Sequence, residues 1–437
     1  MAFSQDFLQE LSDRNPIEDV VGEYVQFTKR SGQNLFGLCP FHSEKTGSFS
    51  VSPDKQIYYC FGCKRGGGVI NFIMEEENLS FPDAVRFLAK RAGMEVPEED
   101  GDREAGRRRQ RLLDLNRDAA RFYYQMLQQP EGRAGQEYLD RRKIRRATAV
   151  NFGLGASLDA WDALILAMTK KGYTKSELLD AGLAVQNRNG GLYDKFRNRL
   201  MFPVIDVRGD VVAFGGRVLD KSEPKYMNSQ ETPVYSKRRV LYGLNLAKKS
   251  KRSNIILCEG NIDVVTLHQA GFDNAVASMG TALTVEQTRL LSRFTKELVL
   301  CYDNDNAGKI ATDRALEILN NSEFSVKVLQ LPRRRTEDGE LVKQDADDFI
   351  KLQGKDAFEA LLTGSENGIE FRMAQVAGKY DLTNDEARVA YCGEISGLLA
   401  ALDNPVEREI YTTRAAELRT MGALGYDATT PGDHEFD

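Results

Sequence analysis

Asn254-Ile255-Ile256-Leu257-Cys258-Glu259-Gly260 and Leu298-Val299-Leu300-Cys301-Tyr302-Asp303-Asn304-Asp305 decide how this chain is read. Each is a short unbroken apolar run closed by acidic and turn residues, the pattern of a strand buried on both faces. Between them lie a helical pattern over Asp263–Ala270, a third apolar run over Ala275–Met279 and a second helical pattern over Val285–Phe294. Strands alternating with helices predict a parallel sheet. In such sheets ligands gather beyond the carboxyl ends of the strands. Glu259, Asp303 and Asp305 fall at those ends. Carboxylates converging there repel one another, so folding alone does not favour them, and a bound divalent cation resolves the repulsion.

Downstream, a helix over Lys309–Asn320, a fourth strand over Ser325–Leu331 and a polar insert, Pro332–Gln344, lead to Asp345-Ala346-Asp347-Asp348 at the start of a helix. Asp345 and Asp347 are candidates to join the acidic group, with a helix N-terminal acid as the plainer reading of Asp347; Asp348 reads as such an acid. Residues 367–420 read as helices, and the tail from Gly422 as disordered. Upstream, residues 150–240 mix short strands with turns and present positive charge from them: Arg197 and Arg199 in Phe196–Val204, Arg217 in Val211–Val218, then Lys225 and Lys237. Gly215-Gly216 interrupts its strand, which predicts a bulge or a close backbone approach.

Near the amino terminus, Cys39-Pro40-Phe41-His42 is answered by Cys60-Phe61-Gly62-Cys63. Two ligand pairs, each with two intervening residues and separated by a hairpin-sized insert, make a zinc site. The chain has only three histidines, and His42 stands where the fourth ligand is needed. Three thiolates and one imidazole complete a tetrahedron, so this zinc is expected to be structural. The insert reads as two strands joined at Pro53-Asp54, with an exposed face expected from Lys45, Phe49, Lys55, Tyr58, Lys64 and Arg65. Such aromatic and basic faces stack on single-stranded bases. Helices are predicted over Val69–Glu76 and Phe81–Ala92; the arginine-rich segment that follows lacks apolar periodicity and reads as a flexible linker.

The 437 residues carry a net charge of −6, but Arg103–Arg111, Arg141–Arg146, Lys248–Arg252 and Arg333–Arg335 bunch positive charge locally. A phosphate feels charges within about 10 Å, so local clusters outweigh the sum. No apolar stretch is long enough for a membrane span, and Met1–Asp6 has no secretory signature. These features and the clustered cysteines point to a cytoplasmic protein that uses them for metal rather than disulfides. Cys258, Cys301 and Cys392 read as small apolar side chains. No Gly-x4-Gly-Lys-Ser/Thr occurs, which argues against a fused helicase.

Carboxylates on neighbouring strand ends suit magnesium, or manganese, which keeps coordination positions for substrate phosphates. The acidic motifs Glu259-Gly260-x-x-Asp263, Asp303-x-Asp305 and Asp345-x-Asp347 resemble a toprim domain. The zinc motif with Ser48-Phe49-Ser50-Val51 is similar to that of DnaG-type bacterial primases. Phe196–Pro203, Gly215-Gly216-Arg217-Val218 and Pro224-Lys225-Tyr226-Met227-Asn228 resemble the amino-terminal half of that family's polymerase core. The resemblance covers roughly 1–420 and implies a multidomain α/β chain. Its parts are a zinc-ribbon DNA-binding domain (1–100, α+β), a linker (101–111), a basic α+β subdomain (112–240), a toprim parallel-sheet domain (241–365), a helical subdomain (366–421) and a tail (422–437). It implies synthesis of short RNA primers on a single-stranded DNA template from ribonucleoside triphosphates, by metal-dependent nucleotidyl transfer in replication. Glu259, Asp303, Asp305, Asp345 and Asp347 would hold catalytic metal, with Glu259, Asp303 and Asp305 catalytic. Arg217, Lys225 and Lys237 would contact template or nucleotide, and Arg197 and Arg199 are placed with them.

The sequence departs from the family pattern. Asn261 stands where an aromatic or proline is usual, Asn304 and Asn306 replace Gly and Arg of Asp-Gly-Asp-Arg, Asn151 replaces an arginine and Gly47 a proline. The family's helicase-binding domain is expected to lie outside these residues, and the chain to be a monomer. Two alternatives remain: toprim strand cleavage, as in a nuclease or topoisomerase, and a non-catalytic DNA-binding scaffold.

Overall fold

The structure, a computed structural model, describes residues 3–423 except 43, 45–46, 78, 80, 97–99, 281, 321, 323, 336–340, 401 and 403. Lys45 and the tail beyond 423 lie outside the described residues.

The two deciding runs are neighbours. Asn254–Cys258 and Glu297–Cys301 pair in parallel, with Cys258 opposite Cys301. Ala275–Ala277 adds on one side and Ser325–Val328 on the other, both parallel. Glu366–Asn367 closes the sheet antiparallel, a strand without enough apolar residues to show in the sequence. The turns are locally encoded. Thr284 and Gln287 form a capping box that starts the helix Val285–Ser292. Gly271, at φ 98°, ends the helix Asn261–Ala270. The sheet is dry on both faces: Ile256, Cys258 and Val299 join one core, Ile255, Leu257, Leu298 and Leu300 another.

The first of those cores continues into residues 112–240. There, Gly155–Ser157, Arg199–Ile205, Val211–Val218 and Tyr226–Asn228 form an antiparallel sheet. Phe202, Phe214 and Tyr242 bury its inner face against the same side chains that cover the parallel sheet. The basic subdomain and the parallel-sheet domain are thus fused through apolar packing, which holds one fixed relative to the other.

The linker expectation fails. Asp100–Gln128 is one helix. Its second half is amphipathic and buries Leu112, Leu115, Ala119, Tyr123 and Leu127. Residues 104–110 are exposed, and the first half is tied down by charge: Arg108 to Asp180 at 2.7 Å and Arg111 to Glu177 at 2.9 Å. Ion pairing to a distant segment leaves no periodicity in the sequence, so the helix looked like linker.

The amino-terminal unit has its own core and a five-stranded antiparallel sheet, Phe27–Ser31, Asn34–Gly37, Phe49–Ser52, Ile57–Cys60 and Gly66–Gly67. It touches the rest through Arg293, which pairs with Glu77 at 3.1 Å. At the other end, helices Gly368–Ala377, Asp385–Ala400 and Pro405–Ala423 pack around Met373, Tyr391, Ile395 and Leu399. No described helix is long and apolar enough to cross a membrane.

Candidate functional site

The carboxyl ends of the parallel strands gather the acids. The Asp303 backbone N–H donates to Glu259 Oε1 at 3.1 Å, locking the two strand ends in register. Asp305 caps the next helix, accepting the Gly308 N–H at 2.9 Å. A Cβ at Gly308 would collide with the Asp303 carbonyl, so only glycine lets the helix start so close. Asp345 caps the helix Ala346–Thr363, accepting the Asp348 N–H at 2.7 Å, and the Asp347 N–H donates to Asp263 at 3.2 Å. Asp263, quoted in the first acidic motif but not singled out as a ligand, is thereby drawn into the group.

The electrostatics fit a cation. Burial first, then the Asp303 charge, raises the Glu259 carboxyl above its ordinary range. Burial, Asp345 and Asp303 raise Asp263 well above it, and Asp345 is raised by burial and its acidic neighbours. The donor set is all oxygen, which matches a hard divalent ion. Lys343 Nζ lies 2.8 Å from Asp305 and 3.4 Å from Asp303.

Asp347 stands apart. It is fully buried. One oxygen meets Arg142 and Lys351, each at 2.5 Å, and the other accepts from Thr266 Oγ1 at 2.6 Å. Its carboxylate lies within 4.8 Å of those of Asp345 and Asp348, yet both its oxygens already have partners.

Arg142 also faces the Tyr138 ring, which lies 5.2 Å from the Arg217 guanidinium; the Tyr226 ring lies 4.9 Å from that guanidinium, and its hydroxyl accepts from Arg217, which is itself buried. Lys225 borders Tyr226. Arg199 is buried and donates to the carbonyls of Gly216 and Pro224 at 3.3 and 3.0 Å, the work of a structural arginine. Arg197 lies over Trp161, 4.3 Å from its centroid, with Tyr193 at 5.1 Å. Trp161 is 66% exposed. Sequence reasoning passed over it because a lone tryptophan distant from Arg197 in the chain carries no pattern. It also missed Lys195, whose ammonium is lowered by burial and by the charge of Lys237 beside it. Two lysines so placed draw an anion. Asn261 is buried with its amide against Gly215, where a Cβ would stand 2.6 Å from Nδ2, so this departure joins the two sheets. Asn304 donates to the Leu331 carbonyl at 3.0 Å.

In the amino-terminal unit, one ligand atom from each of Cys39, His42, Cys60 and Cys63 falls within 4.8 Å of the others. Cys39 Sγ and Cys63 Sγ are 3.9 Å apart, and Cys60 Sγ is 3.7 Å from His42 Nδ1. Tetrahedral zinc with Zn–S near 2.3 Å requires edges of about 3.8 Å, so the residues fit. Glu44, unmarked in the sequence, accepts the Cys39 and Ser48 N–H groups at 2.8 Å each, and its second oxygen lies 3.3 Å from His42 Nε2. That leaves His42 Nδ1 for the metal.

The aromatic face differs from expectation. Phe49 and Tyr58 are buried, packed with Phe41 and Phe72. Arg65 is engaged by Phe41 and Glu75. Tyr59 and Phe61 are the exposed rings, edge to face at 5.1 Å, with Lys55 and Lys64 exposed on the same ribbon.

Comparison with known proteins agrees with this assembly. Family models match as the CHC2 zinc finger over 3–104, the DNA primase catalytic core N-terminal domain over 122–248 and Toprim-like over 256–350. A fourth, the DnaB-helicase binding domain of primase, matches 369–418 and overturns the expectation that this domain lies outside the chain. The packed helices there carry no motif of residue type, so sequence reasoning saw only helices. The chain is 42% identical to a DNA primase of Clostridium acetobutylicum, over 95% of this chain and 68% of that protein. It is 43% identical to a DNA primase of Pseudomonas aeruginosa, over 98% and 66%. Among solved structures, the zinc-binding and RNA polymerase domains of Aquifex aeolicus primase align over 96% of both chains (31% identity, TM-score 0.57). A DnaG primase catalytic domain bound to single-stranded DNA aligns over 71% of this chain and 99% of its own (32%, TM-score 0.61). The chain belongs to the DnaG-type DNA primases and is an enzyme of RNA primer synthesis.

Proposed function

We propose that the acidic centre joins ribonucleotides along a single-stranded DNA template held on the antiparallel sheet, with Mg2+ or Mn2+ as the catalytic ion. The observation that carries this reading is the gathering of Glu259, Asp263, Asp303, Asp305 and Asp345 beside a sheet that holds the buried Arg217 and the exposed Lys225. A divalent ion held by these carboxylates would supply activation of the attacking hydroxyl and neutralisation of the leaving pyrophosphate. Glu259, Asp303, Asp305 and Asp345 are the ligands, with Asp263 completing the acidic wall.

The chain's own residues do the positioning. Arg217, buried and fixed by its contacts with Tyr138 and Tyr226, is a pre-aimed guanidinium for a phosphate that reaches it. Lys225, and Lys195 with Lys237, extend the positive surface for the backbone or the triphosphate. The Trp161–Arg197 stack, and Tyr59 with Phe61 on the ribbon, take unpaired bases. Arg199 belongs to the scaffold rather than to the template. Asp347 is a brace: with Arg142 it ties the basic subdomain to the acidic one, and it is not a first choice for the ion.

Zinc on Cys39, His42, Cys60 and Cys63 is structural, since all four positions are filled from the protein. The chain divides into zinc ribbon, basic subdomain, toprim domain and helical subdomain, with 369–418 as the docking element for a replicative helicase, and it works in the cytoplasm. The test is synthesis of labelled RNA from ribonucleotides on single-stranded DNA, wild type against Asp303→Ala. Short RNA from the wild type alone supports the reading. Cut DNA in place of RNA, or equal RNA from both, overturns it.

A further inference from the structure

Lys343 follows the short strand Leu341–Val342, which pairs with Arg334–Arg335. Its side chain is 57% exposed, yet its ammonium points inward, 2.8 Å from Asp305 Oδ2 and 3.4 Å from Asp303 Oδ2. Among the described residues it is the one cationic side chain in ion-pair reach of those two carboxylates. A lysine that touched one acid would be an ordinary surface pair, worth little. This one spans two acids that come from different ends of a tight turn, and both face the same space.

Those same oxygens would hold the divalent cation. An ammonium between them occupies the same position and offsets part of the same negative charge. The two cannot share the pair in one arrangement, and the flexible, solvent-exposed stem of Lys343 lets it leave at small cost. We propose that Lys343 is a placeholder cation: it neutralises Asp303 and Asp305 while the centre is free of metal, and the divalent ion displaces it. Metal binding here is therefore an exchange of one cation for another. The carboxylates are kept from repelling one another between turnovers. This rests on the reading of the acidic centre as a metal site.

The test uses the full zinc-loaded chain and Mn2+, with free Mn2+ followed by electron paramagnetic resonance. Wild type, Lys343→Gln, Lys343→Arg and Asp303→Ala are compared, and each is also melted with and without Mn2+. Removing a competing charge at this distance should tighten Mn2+ binding by about fivefold in Lys343→Gln. The same variant should melt below wild type without Mn2+ and together with it at saturating Mn2+, because the wild-type lysine has by then been displaced. Lys343→Arg should stay close to wild type in both measurements. Unchanged or weaker Mn2+ binding in Lys343→Gln overturns the proposal, as does a melting deficit that persists in saturating Mn2+. Wild type that binds no Mn2+, or Asp303→Ala that binds it equally well, overturns instead the reading of the centre on which the proposal rests.

Discussion

The chain carries two metal-ready sites built in opposite ways. The zinc ribbon draws four soft ligands from two tight turns of one small sheet, and every position points inward. The acidic centre draws hard oxygens from two parallel strands and two helix N-termini, and its Asp303 and Asp305 side chains reach solvent. The first is written in local spacing and holds its own fold together. The second exists only after a large sheet has formed, and leaves coordination positions for substrate. The difference predicts that losing one ion breaks structure while losing the other breaks only chemistry.

Zinc removal should have the largest effect. The ribbon's core is small, and zinc in such domains contributes on the order of 10 kcal/mol. Chelation, or Cys63→Ser, should make residues 3–96 exchange amide hydrogens freely while the strands Asn254–Cys258 and Glu297–Cys301 stay protected. If the parallel sheet opened as well, the two sites would not be independent. Asp303→Ala is the converse. Primer synthesis should fall at least about a thousandfold, the scale of losing a group that stabilises charge in the transition state. Zinc content by atomic absorption and the circular dichroism spectrum should not change. A variant that lost zinc or helix content would show Asp303 to be structural.

Asp347 sharpens the contrast inside the acidic centre. It is the acid with two cations on it and no exposure. Asp347→Asn leaves Lys351 without its counter-charge and Arg142 with only its longer pair to Asp348 at 3.6 Å, and breaking a buried pair costs about 3–5 kcal/mol. Thermal melting should report that loss while Mn2+ affinity stays near wild type. The reverse, preserved stability with lost Mn2+, would return Asp347 to the ligand set.

Much of this was legible because strands buried on both faces announce themselves as unbroken apolar runs, and because acids at their ends have no reason to sit there without a cation. The zinc ligands were legible from spacing alone. What escaped depended on parity or on distance along the chain. In Ile57–Cys60 every side chain but the last is large and apolar, so nothing in the sequence decides that Tyr58 faces in and Tyr59 out; the Phe41–Phe49–Phe72 cluster decides it. The helix over 100–111 depends on acids at 177 and 180. Lys343 meets Asp303 and Asp305 only once the hairpin has folded back.

Asp194 gives a buried acid with no metal to compare with Glu259. Its oxygens accept the Leu164 and Ile165 N–H groups at 2.7 and 3.0 Å, yet burial still lifts it to about 6. The folded state therefore binds this proton more tightly than the unfolded chain does. Its contribution to stability is full below about pH 4 and is lost as pH rises through 6. Against Asp194→Asn, wild type should lose on the order of 2 kcal/mol between pH 4 and 7. Equal pH profiles for the two proteins would place the burden on the backbone donors instead.

The smallest expected effects concern the stacking surfaces, one on each side of the contrast. Tyr59 and Phe61 project from the ribbon, and Trp161 from the basic subdomain under Arg197. Each ring that stacks a base contributes about 1–3 kcal/mol, so Phe61→Ala and Trp161→Ala should each weaken single-stranded DNA binding by roughly tenfold in fluorescence anisotropy. Neither removes a charge, so the dependence on salt should keep its slope, whereas Lys225→Ala should flatten the slope by about 0.7. The double variant decides how the two regions cooperate. If ribbon and core grip one strand through independent contacts, the two losses multiply. If the ribbon engages a different strand, or works on the template of another molecule, Phe61→Ala changes nothing in a one-strand assay but still lowers primer synthesis. The closed metal site would then serve as a rigid mount for recognition, and the open one for chemistry alone.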